Sequence, residues 1–142
     1  NDARIRATLA GIDIGDGPAE LTQAVMEGVA FALRDCLEAL KGTDTNLTRL
    51  LAVGGGTRSP YWVETLATVL GVSLDIPDKG EFGAALGAAR LAMTATGADI
   101  SAVMTAPPIA HTIDPRRDLT EAYDASYARY RALYPNMKAL MT

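Results

Sequence analysis

The residues best suited to chemistry are Gly54-Gly55-Gly56-Thr57-Arg58-Ser59, set between the apolar run Leu50-Leu51-Ala52-Val53 and Pro60-Tyr61-Trp62. The apolar run predicts a buried strand, the glycines a turn without side chains, and Ser59 before Pro60 a helix start. A serine hydroxyl can cap such a helix, and proline loses nothing at the first helical position, where an N–H would have no intrahelical partner. Strand, bare turn and helix N-terminus in succession aim free amides and the positive end of a helix dipole at one spot. That arrangement suits a phosphate or another anion. A plain tight turn needs fewer than three glycines. The spacing also imitates a dinucleotide fingerprint, with Gly54, Gly56 and Ser59 followed about twenty residues on by Asp75, where a ribose-binding acid would sit. Against an oxidoreductase stand the serine at the third glycine position and the long helix that precedes the strand.

Other reactive side chains are isolated. Cys36, the single cysteine, lies on the apolar side of a helical pattern and is expected to fill the core. His111, the single histidine, sits between Pro107-Pro108 and Pro115 with no second ligand at metal-site spacing. It is expected to be a surface loop residue, and no metal set is assigned. Tyr123, Tyr127, Tyr130 and Tyr134 recur at helical spacing without basic residues on the same face, so the stripe is expected to pack on the core, not to stack bases. Among the acids Asp13, Asp16, Glu27 and Asp75, none is assigned as catalytic; Glu27 is expected to anchor its helix through hydrogen bonds.

A chain of 142 residues, 49% of them apolar, can bury one ordinary core but not a second complete domain. The net charge of -4 and the scatter of thirteen Lys and Arg exclude a nucleic-acid groove as the natural partner. No apolar run approaches the roughly twenty residues of a membrane span, and Asn1-Asp2-Ala3-Arg4 is no signal-peptide start. With one cysteine and no internal disulfide, the expected setting is cytoplasmic.

The elements that position these residues follow from periodicity. Gly15-Asp16-Gly17-Pro18 opens a long amphipathic helix that ends at Gly42, and Gly28 within it predicts a second backbone close by. A polar loop, Thr43 to Asn46, leads to the central strand and glycine turn. The next helix carries Val63, Leu66, Ala67 and Leu70 and stops at Gly71; Val72, Leu74 and Ile76 alternate as a strand closed by Pro77. After the turn Asp78-Lys79-Gly80, a small-residue helix runs from Phe82 to Thr96, with Gly83 and Gly87 forming a flat face for close helix-on-sheet packing or for a ligand. Then come an irregular link and the tyrosine helix, ending at Pro135. The order is α/β with a mainly parallel sheet. Two strands are too few, so Ile5 to Ile12 or sequence before Asn1 is expected to supply others, and the chain reads as cut from something longer.

Three motifs carry a resemblance. Ala7, Leu9, Gly11 and Ile12, followed seven residues later by Glu20-Leu21 and by Ala24-Val25-Met26-Glu27, fit one signature; Gly54 to Ser59 with Trp62 fits a glycine-rich nucleotide motif; and Gly83 to Ala92 fits the small-residue helix beyond it. In these, and in its tail from Tyr127 to Tyr134, the chain resembles the C-terminal domain of the FGGY carbohydrate kinases. The resemblance implies a ribonuclease H-like α/β fold of the actin, hexokinase and Hsp70 superfamily. Residues 1–106 would be an incomplete nucleotide-binding region, and 107–142 a proline-bounded link and C-terminal helix packing on it. The implied activity is ATP-dependent phosphorylation of D-xylulose, with glycerol, gluconate or ribulose as alternative substrates and a noncatalytic nucleotide-binding module as another reading. Gly55 and Gly56 would offer amides to the ATP phosphates, with Gly54 and Ser59 near the adenosine. Ala7 and Thr8 would approach from the opposite side, although Ala7 stands where relatives commonly carry glycine. Mg2+ would accompany ATP, the N-terminal sugar-binding domain of the same protein would be the partner, and a homodimer is implied by the family alone. The base is expected upstream of Asn1.

Overall fold

The computed structural model describes residues 5–43, 47–78, 80 and 83–141. The expectations placed on Asn1–Arg4, Asp44–Asn46, Lys79 and Phe82 lie outside the described residues. The helices are α1 (Pro18–Lys41), α2 (Pro60–Leu70), α3 (Gly83–Ala95), α4 (Ile100–Val103) and α5 (Thr120–Met141). The strands β1 (Arg49–Leu51), β2 (Ser73–Pro77) and β3 (Ile109–Ile113) form a sheet in the order β1-β2-β3.

Local chemistry sets the helix ends where the sequence places them. Pro18 opens α1, and the Glu20 carboxylate accepts the Gly17 N–H at 2.8 Å. Ser59 caps α2 by accepting the Trp62 N–H at 3.3 Å, and Gly71 closes it at φ +66°, a left-handed conformation that favours glycine. α5 departs from expectation by running through Pro135 to Met141. Proline has no N–H for the Arg131 carbonyl, and beyond it the Asn136 amide side chain donates to the Ala132 carbonyl at 2.7 Å.

The sheet departs further. β1 and β2 are parallel, as α/β order predicts, but β3 is antiparallel to β2 and lies in the segment read as an irregular link. His111 is therefore exposed on a strand, opposite Ile76, and not in a loop. Residues 5–16 include no strand. β1 is not the buried strand: Leu51, and Val53 just beyond it, are about half exposed, at 48% and 51%, because β1 has one neighbour among the described residues and lies at an edge of the sheet. β2, the middle strand, is the buried one, with Leu74, Asp75 and Ile76 inside.

Two cores meet at α2. Val63 and Ala67 face Leu74, Ile76, Val72 and Leu37 on one side. Val69, on another side of α2, packs with Ala30 and Phe31 of α1, flanked by Trp62, Tyr123, Tyr127 and Tyr130. The tyrosine stripe thus packs as expected, with Phe31 ring centroids 5.5–6.4 Å from three of its members; Tyr134 remains 48% exposed. Cys36 is exposed, not core, since its neighbour Leu37 is the residue α1 turns inward. A Cβ at Gly28 or Gly87 would meet nothing within 4 Å, so neither marks a close approach; Gly83 does, because a Cβ there would lie 2.9 Å from Val53 Cβ.

The three strands share one polar tie. The Asp75 carboxylate accepts from Arg49 of β1 at 2.9 and 3.1 Å and from the Thr112 hydroxyl of β3 at 2.6 Å. The Thr112 hydrogen bond, helped by Arg49, holds the Asp75 carboxyl below its ordinary 3.8 although burial opposes it. A depressed carboxyl contributes stability that is present above the unfolded-state value and is lost as pH falls through the folded-state one. Asp75→Asn is therefore expected to lower the denaturation midpoint at neutral pH, with the gap to wild type closing below pH 3.8. A pH-independent gap in urea titrations would contradict this account.

Candidate functional site

The glycine turn is built by both of its flanks. The Ala52 N–H continues the β1–β2 register by donating to the Asp75 carbonyl at 2.9 Å, and Val53 lies against Gly83 at the start of α3. Gly54 then adopts φ +103° and ψ 171°, which side chains disfavour. Its N–H donates to the Gly80 carbonyl at 2.9 Å, so this amide is engaged. Beyond Gly54 the chain forms not a bare turn but one turn of 3-10 helix, Gly55–Arg58, with Thr57 donating to the Gly54 carbonyl through both its N–H (3.1 Å) and its hydroxyl (2.8 Å).

The three glycines therefore differ in what they answer to. Gly54 answers to backbone conformation. Gly56 answers to space, because a Cβ there would lie 3.2 Å from the Trp62 indole. Gly55 answers to neither: its φ is ordinary, and the nearest atom to a Cβ would be Arg58 Nη2 at 3.9 Å. The Gly55 and Gly56 N–H groups, first in the 3-10 turn, find no acceptor among the described residues. The open side of the turn thus presents two amides and a surface free of side chains beside the N-terminus of α2.

The structure brings Gly54, Gly55, Gly56 and Ser59 together at this turn. Ala7 and Thr8 are placed elsewhere, lining a cleft with Gly28 and Phe31 of α1 and Tyr130 of α5 that does not include the turn. Asp75 cannot serve as a free ribose acceptor, because its carboxylate is held by Arg49 and Thr112 inside the sheet. Glu27 accepts from the Gln23 amide at 2.7 Å and faces the Tyr123 hydroxyl, as a helix anchor should. Burial raises that hydroxyl above its ordinary value, and the Glu27 charge adds to the shift. A second cleft, about 490 Å³, lies among α1, α2 and α5, and its lining does not include the glycine turn. Its Arg116 is held by Asp118 at 2.7 Å and Glu64 at 3.3 Å. Sequence reasoning missed β3, and with it the Thr112 hydroxyl that holds Asp75 beside β1.

Residues 1–96 match the FGGY family of carbohydrate kinases, C-terminal domain. The chain belongs to that family. It is 34% identical over 143 residues to the xylulose kinase of Escherichia coli K12, covering 99% of this chain and 30% of that protein. Against the xylulose kinase of Klebsiella pneumoniae the identity is 34% over 146 residues, covering 100% and 30%. Among solved structures, a xyloylose kinase from Brucella ovis superposes with TM-score 0.86 at 52% identity, over 99% of this chain and 29% of that one. A xylulose kinase from Rhodospirillum rubrum gives 0.75 at 28%, over 94% and 28%. This FGGY chain thus spans about three tenths of the length of the relatives it matches. Its α/β elements are those of the family's ribonuclease H-like fold, and membership displaces the oxidoreductase reading.

Because Gly54 alone of the three has a positive φ, the turn makes a graded prediction. Gly54→Ala is expected to destabilise by about 1–3 kcal/mol, whereas Gly55→Ala should stay within about 0.5 kcal/mol of wild type. Urea denaturation of the two variants checks the contrast, and equal losses would contradict the division of roles.

Proposed function

We propose that this chain is the nucleotide-holding C-terminal part of an ATP-dependent sugar kinase that phosphorylates D-xylulose. The observation that carries the reading is Gly55, a glycine that neither backbone conformation nor internal packing requires, whose N–H and that of Gly56 find no acceptor among the described residues. Bare amides at such a turn suit the phosphates of ATP. In this proposal Gly55 and Gly56 hold the phosphates, Gly54 and Ser59 flank the adenosine, and Ala7 and Thr8, from the separate cleft they line, approach from the opposite side. The region 1–106 carries the nucleotide, and 107–142 braces it through β3 and α5.

Phosphoryl transfer is mainly positioning and charge stabilisation. This chain contributes the positioning of the nucleotide, and the sugar and its base belong to the N-terminal domain of the same protein. Mg2+ would neutralise phosphate charge. Among the described residues, however, no group of three or more acidic, His or Cys side chains could hold a metal ion, so these residues supply no ligand set for it. No described helix is long and apolar enough to cross a membrane, and a cytoplasmic setting is part of the proposal, as is pairing into a homodimer. D-Xylulose is preferred over glycerol, gluconate and ribulose because the Escherichia coli and Klebsiella relatives are xylulose kinases.

Two measurements test the proposal. The full-length protein should phosphorylate D-xylulose faster than the other three substrates, and the 142-residue chain alone should transfer nothing; turnover by the isolated chain would overturn the division of labour. In the full-length protein, Gly55→Val should raise the KM for ATP about tenfold or more while leaving the sugar KM near wild type. An unchanged ATP KM would remove the turn from the site.

A further inference from the structure

We propose that Arg58 binds the phosphate chain of the nucleotide, adding a cation to the main-chain amides; this deepens the nucleotide reading of the glycine turn and rests on it. The inference starts from helix geometry. A 3-10 turn has three residues per revolution, so side chains at i and i+3 lie one above the other. Arg58 therefore stands over Gly55, and its Nη2 lies 3.9 Å from where a Gly55 Cβ would be. The guanidinium is folded back towards Gly55 at the start of its own turn.

Among the described residues Arg58, like Arg90 and Arg117, has no side-chain partner, and of these three it alone lies at the glycine turn. Among the described residues, Arg34, Lys41, Arg49, Arg116 and Arg131 are each held by a carboxylate, at 2.7–3.3 Å. Arg58 is exposed and has no carboxylate within ion-pair distance among those residues, in a chain whose seventeen acids outnumber its thirteen bases. The hydroxyls beside it are already committed, Thr57 donating to the Gly54 carbonyl and Ser59 accepting from Trp62. An anion at Gly55 would thus be met by amides and by Arg58. A guanidinium fork matches phosphate oxygens in geometry, keeps its charge at any working pH and gives hydrogen bonds roughly twice as strong as neutral ones.

The test measures binding of ADP and of adenosine to the full-length protein by calorimetry, for wild type, Arg58→Gln and Arg58→Lys. Arg58→Gln should weaken ADP about tenfold or more and change adenosine by less than about twofold, and Arg58→Lys should recover part of the ADP loss as a point charge. The thermal midpoint of ligand-free Arg58→Gln should equal that of wild type. Equal ADP affinity in wild type and Arg58→Gln would overturn the proposal and leave the nucleotide reading standing. A loss for adenosine as large as that for ADP would also overturn it, showing contact with the base. A lowered thermal midpoint would reassign Arg58 to the fold. If wild type binds no ADP, the nucleotide reading fails and this inference fails with it.

Discussion

The carboxylate of Asp75 is the constraint on which the sheet depends. It sits on the middle strand, nearly out of contact with solvent, and takes hydrogen bonds from the strands on both sides. An unpaired carboxylate in that place would be costly, so β1 and β3 are held wherever Arg49 and Thr112 can reach it. Pinning β1 at Arg49 also fixes where the chain leaves the sheet. The Ala52 N–H makes the last register bond, and two residues later Gly54 turns the backbone out. The polar tie in the sheet and the two amides of the glycine turn therefore belong to one mechanical unit.

The parts of this architecture that could be read from sequence were those set by local chemistry. Pro18 with Glu20, Ser59 with Pro60, and Gly71 fix helix ends through bonds made within a few residues, and α1 and α2 run where those signals put them. β3 was hidden because nothing local marks it. Ile109–Ile113 is flanked by prolines and becomes a strand only by pairing with β2, more than thirty residues earlier. Asp75, which its spacing offered as a ribose-binding acid, proved unavailable for a related reason. In an alternating strand a charged residue reads as solvent-facing, and only the partners brought by tertiary structure make its burial tolerable.

The candidate site was legible to a similar depth. The glycine run, Ser59 and Pro60 announced a turn ahead of a helix, and the family motifs supplied only the expectation of a nucleotide there. That the glycines divide into one required by φ, one by an indole and one by neither could not be read from three identical letters. The small-residue helix shows the opposite failure, in which Gly83 and Gly87 look equivalent but only Gly83 touches a neighbour. Spacing reports which residues share a helix face, not which part of that face is covered.

Helix α2 joins these regions physically. Its first turn holds Ser59 and Trp62, one flank packs on the sheet, and another packs on Phe31 of α1. Trp62 belongs to both neighbourhoods, its indole covering Gly56 while it packs against the cluster that includes Phe31 and Tyr130. Since it is the one tryptophan in the chain, the protein carries an intrinsic optical reporter at the point where the turn meets its helical support. Emission from this indole, excited selectively over the five tyrosines, samples the polarity and mobility of that junction without any attached dye.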